Sequence, residues 1–250
     1  MPGQVSVIGL DGVPEVRPGD DLAAIVLAAI ERSGERLRDG DLLVVTHKIV
    51  SKAEGRLVDL RGIEPSDLAR RYAETWGKDA RQVEVVLRES ARIVRMDRGV
   101  IIAETRHGLI CANAAVDASN IPGDTVCLLP RDPDASAAAL RAALRERVGL
   151  DVPVIISDSF GRAWRMGIVN VAIGVSGLAP LTDYRGQEDP HGRTLHASIL
   201  AVADELAAAA ELVTGKVDGR PVALIRGYPF ARAEGSGRDL LLDPARDLFR

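Results

Sequence analysis

The sequence predicts an α+β fold, because helical and strand-like segments are mixed along the chain without a regular alternation. Helical periodicity is clear over residues 22–30, where apolar side chains recur every three or four positions after the capping acids Asp20 and Asp21. β-Branched segments are clear over residues 93–96 and 100–104, which a short turn joins as a hairpin. These observations favour α+β over a doubly wound parallel sheet.

The other elements follow from the same two periods and from turn residues. Before the hairpin, they are a buried β-branched strand over residues 41–50 and helices over residues 66–76 and 79–90. After it, they are short strands near residues 108–112 and 125–129, an alanine-rich helix capped by Asp134, strands over residues 153–156 and 169–175, a helix from Leu195 to Val213 and a last strand over residues 222–225. No internal repeat or low-complexity linker divides the chain.

Composition excludes several classes of function. The chain of 250 residues carries a net charge of -4 and is 3% aromatic, so it lacks the clustered basic charge and the stacking platforms typical of nucleic-acid binding. Its first residues lack the pattern of a signal peptide, and no apolar stretch approaches about 20 residues. Cys111 and Cys127 are too few for a disulfide framework. We therefore expect a globular protein of the cytoplasm that binds neither membranes nor nucleic acid.

Two aspartates stand out because each lies close to apolar, strand-forming residues. Asp117 is in a polar loop between two short strands, and Asp158 follows the apolar strand 154–156. A carboxylate in such a place is costly unless it is paired or binds a cation. Asp158 and Ser159 together offer adjacent hard oxygen ligands, which suit Mg²⁺ or Mn²⁺ with bound phosphate oxygens. The alternative interpretation is that each aspartate caps a turn.

Basic residues form the other candidate group. Lys52 lies just beyond a predicted strand, where it would meet a phosphate, and the alternative is a lysine that faces solvent. Four arginines occur in segments rich in Gly and Asp: Arg162, Arg165, Arg185 and Arg193. Arginine binds carboxylates and phosphates bidentately, which favours a binding role for these segments. The sequence contains no P-loop, no G-x-S-x-G motif and no zinc-binding spacing of its histidines.

Three motifs, taken together, resemble signatures of the coenzyme F420-0:L-glutamate ligase family (F420:gamma-glutamyl ligases, including the ligase domain of a bifunctional mycobacterial-type enzyme). They are THKIVSKAEG at residues 46–55, GLICANAAVDASN at residues 108–120 and SDSFGRAWRMG at residues 157–167. The motifs occur in the family's order, and the resemblance extends over residues 12–249, nearly the whole chain. Several motifs in order are far more specific than any one of them.

The resemblance implies an α+β fold that forms an intertwined homodimer, with residues 1–250 as one ligase domain. It also implies a GTP-dependent reaction, in which the terminal phosphate of GTP activates the carboxylate of F420-0 as an acyl phosphate. L-Glutamate then displaces phosphate, and a second round adds another glutamate through a γ-linkage. The implied cofactors are two Mg²⁺ or Mn²⁺ ions, with K⁺ as an additional cation.

Roles for individual residues follow from the same resemblance. Asp117 and Asp158 would hold one divalent cation and act in catalysis with Lys52, and Ser159 would help to hold a second cation. The implied nucleotide-binding residues are Gly12, Val13, Pro14, Glu15, His47, Lys48, Lys52, Asn120 and Gly215. One position departs from the family pattern: Lys216 stands where some relatives have an amide, and a protonated lysine cannot ligate a metal.

We assign the four arginines, on their chemistry, to binding the phosphodiester of the acceptor and the carboxylates of glutamate. Two other functions remain open on the residues alone. A metal-dependent phosphohydrolase would use the same aspartates on a phosphate ester, and its consumption of GTP would not depend on an acceptor. A non-catalytic GTP-binding dimer with a regulatory role would bind GTP tightly without turnover.

Overall fold

The chain forms helices and strands in mixed order around a central sheet. The computed structural model describes residues 3–119, 121 and 123–247. The α-helices within these ranges are α1 (Leu22–Arg32), α2 (His47–Ala53), α3 (Asp67–Trp76), α4 (Ala80–Glu89), α5 (Pro133–Val148) and α6 (Val202–Thr214). The strands are β1 (Ser6–Gly9), β2 (Leu42–Thr46), β3 (Leu57–Asp59), β4 (Ser90–Asp97), β5 (Val100–Thr105), β6 (Ile110–Ala112), β7 (Thr125–Cys127), β8 (Val154–Arg162), β9 (Arg165–Ser176), β10 (Thr182–Asp183), β11 (Ile199–Leu200) and β12 (Val222–Arg226). None of the helices in the described ranges has the length and apolar surface that spanning a membrane demands.

The central sheet has five strands in the order β1-β12-β2-β8-β9. Within it, β2 and β8 pair in parallel, whereas the β1–β12, β12–β2 and β8–β9 pairs are antiparallel. A three-stranded sheet, β4-β5-β6, and the short pairs β3–β7 and β10–β11 complete the strand pairing of the described residues. This mixture, without repeated βαβ units, confirms the predicted α+β class.

Both faces of the central sheet are covered, which explains why β2 is apolar without alternation. Leu43 and Val45 belong to one buried cluster with residues of α1 and α5, whereas Leu42 and Val44 belong to another with residues of α6. Full burial of a side chain of this size contributes about 1.5–3 kcal/mol relative to exposure. β2 is therefore held at the centre of the fold from both sides.

A third buried cluster joins α3 and α4, which match the helices predicted over residues 66–76 and 79–90, to the sheet that contains β5. The predicted hairpin is also confirmed, because β4 and β5 pair directly. Its turn consists of Arg98 and Gly99, with φ of 50° and 74°. Two successive residues with positive φ form the turn that matches the twist of paired strands.

The strand predicted over residues 41–50 is wrong in its second half. β2 ends at Thr46, and α2 begins at His47. Ile49 and Val50 are buried in the same cluster as Val45, but they reach it from a helix rather than from a strand. β-Branched residues favour strands only weakly, so burial of these two side chains overrides their preference.

Other boundaries also differ from the prediction, and two of them show why. The helix predicted from Leu195 begins at Val202, and Ile199 before it pairs with Asp183 as part of β11. The strand predicted to end at residue 156 continues as β8 to Arg162, and residues 160–167 form most of the tip of the β8–β9 hairpin. In both cases a pairing between strands, which local periodicity does not reveal, sets the boundary.

Asp134 does not cap α5, contrary to the prediction. Asp132 is the capping residue, and its side chain accepts a hydrogen bond from the Ala135 backbone N–H. The Asp134 carboxylate instead accepts hydrogen bonds from the backbone N–H groups of Val175 and Gly237, at 2.8 Å and 2.6 Å. It therefore joins α5 to the end of β9 and to the C-terminal segment.

Replacing Asp134 by Ala should lower the free energy of unfolding by about 2–4 kcal/mol, because two buried N–H groups lose their acceptor at roughly 1–3 kcal/mol each. Replacing Asp132 by Ala, the matched change two residues earlier, should cost only about 1 kcal/mol through loss of the cap. Urea unfolding of both variants measures the difference. An equal or larger loss for Asp132→Ala would contradict the assignment.

Candidate active site

A cavity of about 340 Å³ opens where the central sheet meets α2 and α6. Its lining comes from separate parts of the chain: residues 13–16, the end of β2 with residues 47–49 and 52 of α2, Asp117, residues 157–159 of β8, Asn170 of β9, and the end of α6 with residues 215–217 and 219–221. Small-molecule sites typically have volumes of about 300–1,000 Å³. The cavity is thus large enough to bind a substrate.

The parallel pairing of β2 and β8 explains why these segments meet. Thr46 pairs with Ser157, so both strands point toward the same edge of the core at this position. β2 ends there and the chain turns into α2, whereas β8 continues. His47, the first residue of α2, therefore lies beside Asp158.

His47 positions the carboxylate of Asp158. The His47 side chain is 3% exposed, and its Nε2 lies 3.3 Å from Asp158 Oδ1. The backbone N–H of Ser159 donates a hydrogen bond to the same oxygen at 2.7 Å. No hydrogen bond from the described residues reaches Asp158 Oδ2, and Asp158 lines the cavity. Oδ2 is the oxygen that remains for a ligand.

Asp117 is held by donors from α2 and from its own loop. Lys48 Nζ lies 2.7 Å from Asp117 Oδ2, and the Ser119 backbone N–H and hydroxyl donate hydrogen bonds at 2.7 Å and 2.9 Å. Burial alone would raise the pKa of the Asp117 carboxyl, but the bonds from Lys48 and Ser119 outweigh burial and hold that pKa below its ordinary value. Asn120, predicted to bind the nucleotide, lies outside the described residues.

Lys52 connects α2 to the N-terminal segment of the lining. Its side chain is buried, and its Nζ donates a hydrogen bond to Glu15 Oε1 at 2.6 Å. Three residues of the predicted nucleotide turn 12–15 line the cavity. Gly12 does not, because its carbonyl faces Arg32, whose Nη1 donates a hydrogen bond to it at 2.6 Å. Residues 13–15 of the predicted turn therefore line the cavity, and Gly12 lies outside it.

The loop after α6 closes another side of the cavity. Gly215, predicted to bind the nucleotide, lines it and has a φ of 59°. With a ψ of -176°, this is a backbone conformation that essentially only glycine adopts, so the position requires glycine. The next residue, Lys216, donates a hydrogen bond from Nζ to the Ser159 hydroxyl at 2.5 Å.

Sequence reasoning missed three polar residues of the lining, namely Asn170, Glu211 and Arg220. Glu211 Oε2 accepts a hydrogen bond from the Asn170 backbone N–H at 3.0 Å, and Arg220 Nε donates to Asp11 Oδ1 at 2.6 Å. Glu211 interrupts an otherwise apolar helix, and that interruption was the available signal. Asn170 and Arg220 carry no comparable signal, since their place depends on strand pairing.

The four predicted substrate-binding arginines do not line the cavity of their own chain. Arg162 and Arg165 pair across the tip of the β8–β9 hairpin. The guanidinium of Arg185 is bound bidentately by Asp183, with its closest contact at 2.6 Å. Arg193 lies in the loop between β10 and β11. Their predicted role stays a prediction.

The donor atoms of the cavity fit one divalent cation that shares its coordination with phosphate. Asp117 and Asp158 bring two carboxylates to one cavity, and carboxylate oxygens suit Mg²⁺ or Mn²⁺. Among the described residues, no group of three or more His, Cys, Asp or Glu side chains is arranged to hold a metal by itself. Mg²⁺ is commonly bound by one or two carboxylates together with substrate phosphates, so this donor set is sufficient.

Comparison with known proteins shows which family the chain resembles. The profile of the family described as F420-0:Gamma-glutamyl ligase matches residues 12–227. The coenzyme F420:L-glutamate ligase of Methanothermobacter thermautotrophicus is 47% identical over 249 residues, which cover 98% of this chain and 99% of that protein. The protein of the same name from Methanopyrus kandleri is 48% identical over 256 residues, covering 99% and 100%. That of Haloarcula marismortui is 42% identical over 253 residues, covering 98% and 96%.

Replacing Lys48 by Met should raise the pKa of the Asp117 carboxyl, because a hydrogen-bond donor and a positive charge are lost. In the wild type this pKa is lower in the folded than in the unfolded chain. The ionised carboxylate therefore stabilises the fold above its unfolded pKa, and that stabilisation is lost as pH falls through the folded pKa.

Side-chain NMR titration of metal-free protein measures the pKa, and urea unfolding between about pH 7 and 3 measures the stability. The Lys48→Met protein should lose less stability on acidification than the wild type. Lys78→Met, which changes a lysine outside the cavity lining, is the matched control. An unchanged Asp117 pKa in Lys48→Met would show that the ion pair does not control this carboxyl.

Proposed function

This chain belongs to the F420-0:gamma-glutamyl ligase family and is a ligase, and on that basis we propose that it adds L-glutamate to coenzyme F420-0 with consumption of GTP. The acceptor is the carboxylate of F420-0, and further glutamate follows through a γ-linkage. The reaction belongs to the biosynthesis of coenzyme F420.

The observation that carries this proposal is the set of charges in one cavity. Asp117 and Asp158 reach it from separate segments, and the ammonium groups of Lys48, Lys52 and Lys216 reach the same space. A nucleoside triphosphate with its cation needs both kinds of group, since ammonium groups neutralise phosphate oxygens and carboxylates bind the cation. The cavity provides both within one binding site.

The proposed reaction has two steps. A carboxylate oxygen of F420-0 attacks the terminal phosphorus of GTP, so that a P–O bond forms as the bond to GDP breaks. The amine nitrogen of L-glutamate then attacks the acyl carbon, an amide bond forms, inorganic phosphate leaves and the amine loses a proton. Catalysis of such transfers consists largely of positioning and charge neutralisation.

In this scheme the chain supplies fixed positions for charge. Lys48 and Lys52 lie on α2, which packs against the central sheet, and Lys52 is almost fully buried, so their ammonium groups are held at the cavity. His47 keeps the Asp158 carboxylate in one orientation. A Mg²⁺ or Mn²⁺ ion held by Asp117 and Asp158 would neutralise charge on the phosphate oxygens.

We also propose that the chain acts as a homodimer in the cytoplasm, where GTP is available. Trp164 and Met166, at the tip of the β8–β9 hairpin, are 80% and 97% exposed. Exposed apolar side chains of this size favour contact with another protein surface. A second copy of the chain would cover them, and the hairpin arginines would then serve a cavity other than that of their own chain.

Mass spectrometry of F420-0 incubated with the protein, GTP, Mn²⁺ and L-glutamate tests the proposed activity. We expect F420-0 to be extended by glutamate only when the protein, GTP, Mn²⁺ and L-glutamate are all present. Asp117→Asn and Asp158→Asn should each abolish extension, because each removes an anionic ligand of the cation. Thermal melting checks that both variants remain folded, and Asp59→Asn, which changes an exposed aspartate outside the cavity, is the matched control.

The outcomes separate this function from the two others. GTP loss that needs neither F420-0 nor glutamate would indicate a phosphohydrolase. Tight GTP binding without turnover would indicate a regulatory dimer. Wild-type extension by Asp117→Asn or Asp158→Asn would contradict the role of that carboxylate.

Arg162→Met and Arg165→Met test the proposed binding of the acceptor by the hairpin. Each variant should raise the KM for F420-0 several-fold with a smaller change in kcat, because a bidentate contact to an anionic group is lost while the cavity is unchanged. Steady-state kinetics at saturating GTP and glutamate measure both constants. Arg61→Met is the matched control, since Arg61 is exposed and pairs with Asp59 outside the cavity. Unchanged kinetics in both hairpin variants would remove the assignment.

A further inference from the structure

Lys216 occupies the place at which a second divalent cation was expected. Its Nζ donates a hydrogen bond to the Ser159 hydroxyl at 2.5 Å, and this hydroxyl is the group that the second cation would use. Gly215, the residue before Lys216, has a φ of 59°, a backbone conformation that favours glycine. The backbone N–H of Gly215 also donates to the Glu211 carbonyl at 3.0 Å, which joins the loop to α6. In this fold the Lys216 ammonium lies against the Ser159 hydroxyl.

Lysine usage in this chain supports a specific role. The sequence has 32 basic residues, but only four of them are lysines: Lys48, Lys52, Lys78 and Lys216. Three of the four line this one cavity. A chain that uses arginine almost everywhere else has lysine where a compact ammonium can contact small oxygen groups, a geometry that the planar guanidinium does not reproduce. Lys216 thus belongs to a set with shared chemistry.

The contact at Ser159 disfavours a second cation but not the first. Asp158 keeps Oδ2 available, and the Asp117 carboxylate has more lone pairs than Lys48 and Ser119 use. Ser159 contributes a single neutral hydroxyl, and the ammonium already in contact with it would repel a divalent cation at the same place. The expected position of the first cation is therefore beside two carboxylates, whereas that of the second is beside an ammonium.

We infer that Lys216 replaces the second divalent cation, so that the nucleotide binds with one divalent cation per chain and with the Lys216 ammonium on its phosphate oxygens. The inference rests on the proposed function, because it requires a nucleoside triphosphate in the cavity. An ammonium has three N–H donors, so Lys216 contacts Ser159 and phosphate oxygens together. A tethered charge is present at every turnover, whatever the metal concentration.

The test is the stoichiometry of Mn²⁺ binding to the full chain saturated with a non-hydrolysable GTP analogue, with free Mn²⁺ measured by electron paramagnetic resonance. The wild type should bind one Mn²⁺ per chain. Lys216→Gln removes the positive charge and adds an amide oxygen, so this variant should bind a second Mn²⁺ at least tenfold more tightly than any additional binding by the wild type. Lys216 is exposed, so we expect the variant to fold, and thermal melting checks this.

Two controls isolate the charge. Lys216→Arg keeps it and should still bind one Mn²⁺. Lys78→Gln removes a lysine outside the cavity and should also bind one. Two Mn²⁺ ions on the wild type, two on Lys216→Arg, or one on Lys216→Gln would each overturn the inference.

Failure of this inference is distinguishable from failure of the proposed function. Two Mn²⁺ ions per wild-type chain, together with GTP-dependent addition of glutamate to F420-0, would overturn the inference alone. If the wild type neither binds the GTP analogue nor extends F420-0, both are overturned.

Discussion

The parallel pairing of β2 with β8 is the constraint on which the cavity depends. Thr46 lies opposite Ser157 in this pairing, and both strands are covered on both faces. A slip of one residue would exchange the two faces of a strand, so that Leu43 and Val45 would leave the cluster they fill. Such a change is costly, so the register is firmly specified. Asp158 and the start of α2 are consequently held side by side, with His47 between the core and the carboxylate.

Charge balance is the second constraint on the cavity. Among the described residues, four acidic and four basic side chains line it, and an unpaired charge in a partly buried position is costly. In the chain alone, Lys52 contacts Glu15 and Lys48 contacts Asp117, so these groups are paired. In the proposed reaction the ammonium groups would contact the phosphates and the carboxylates would hold the cation. The acidic and basic side chains therefore pair with one another without substrate and would pair with the cation and the phosphates when substrate is bound. This accounts for the presence of both positive and negative charges in one cavity.

The secondary structure was predictable where local signals agree with packing. The helices α3 and α4 follow clear periodicity and begin after capping residues, and the β4–β5 hairpin follows from its turn at Gly99. The prediction was wrong where long-range pairing decides. Residues 195–200 have apolar spacing that suits a helix, yet Ile199 pairs with Asp183. Asp134 lies where a helix cap is expected, yet its carboxylate accepts hydrogen bonds from Val175 of β9 and from Gly237 in the C-terminal segment.

The sequence by itself determined the α+β class, the family and the segments that carry Asp117, Asp158 and Lys52. Motif order and residue chemistry can both be read without knowing which residues meet in space. Only the tertiary structure decided which of these groups share one cavity. In the folded chain Lys216 contacts Ser159, and Glu211 and Asn170 line the cavity. The hairpin arginines lie at the tip of the β8–β9 hairpin, outside the cavity. The physical reason is that distance between side chains depends on strand register and helix packing, and these are set by burial of residues far apart in sequence.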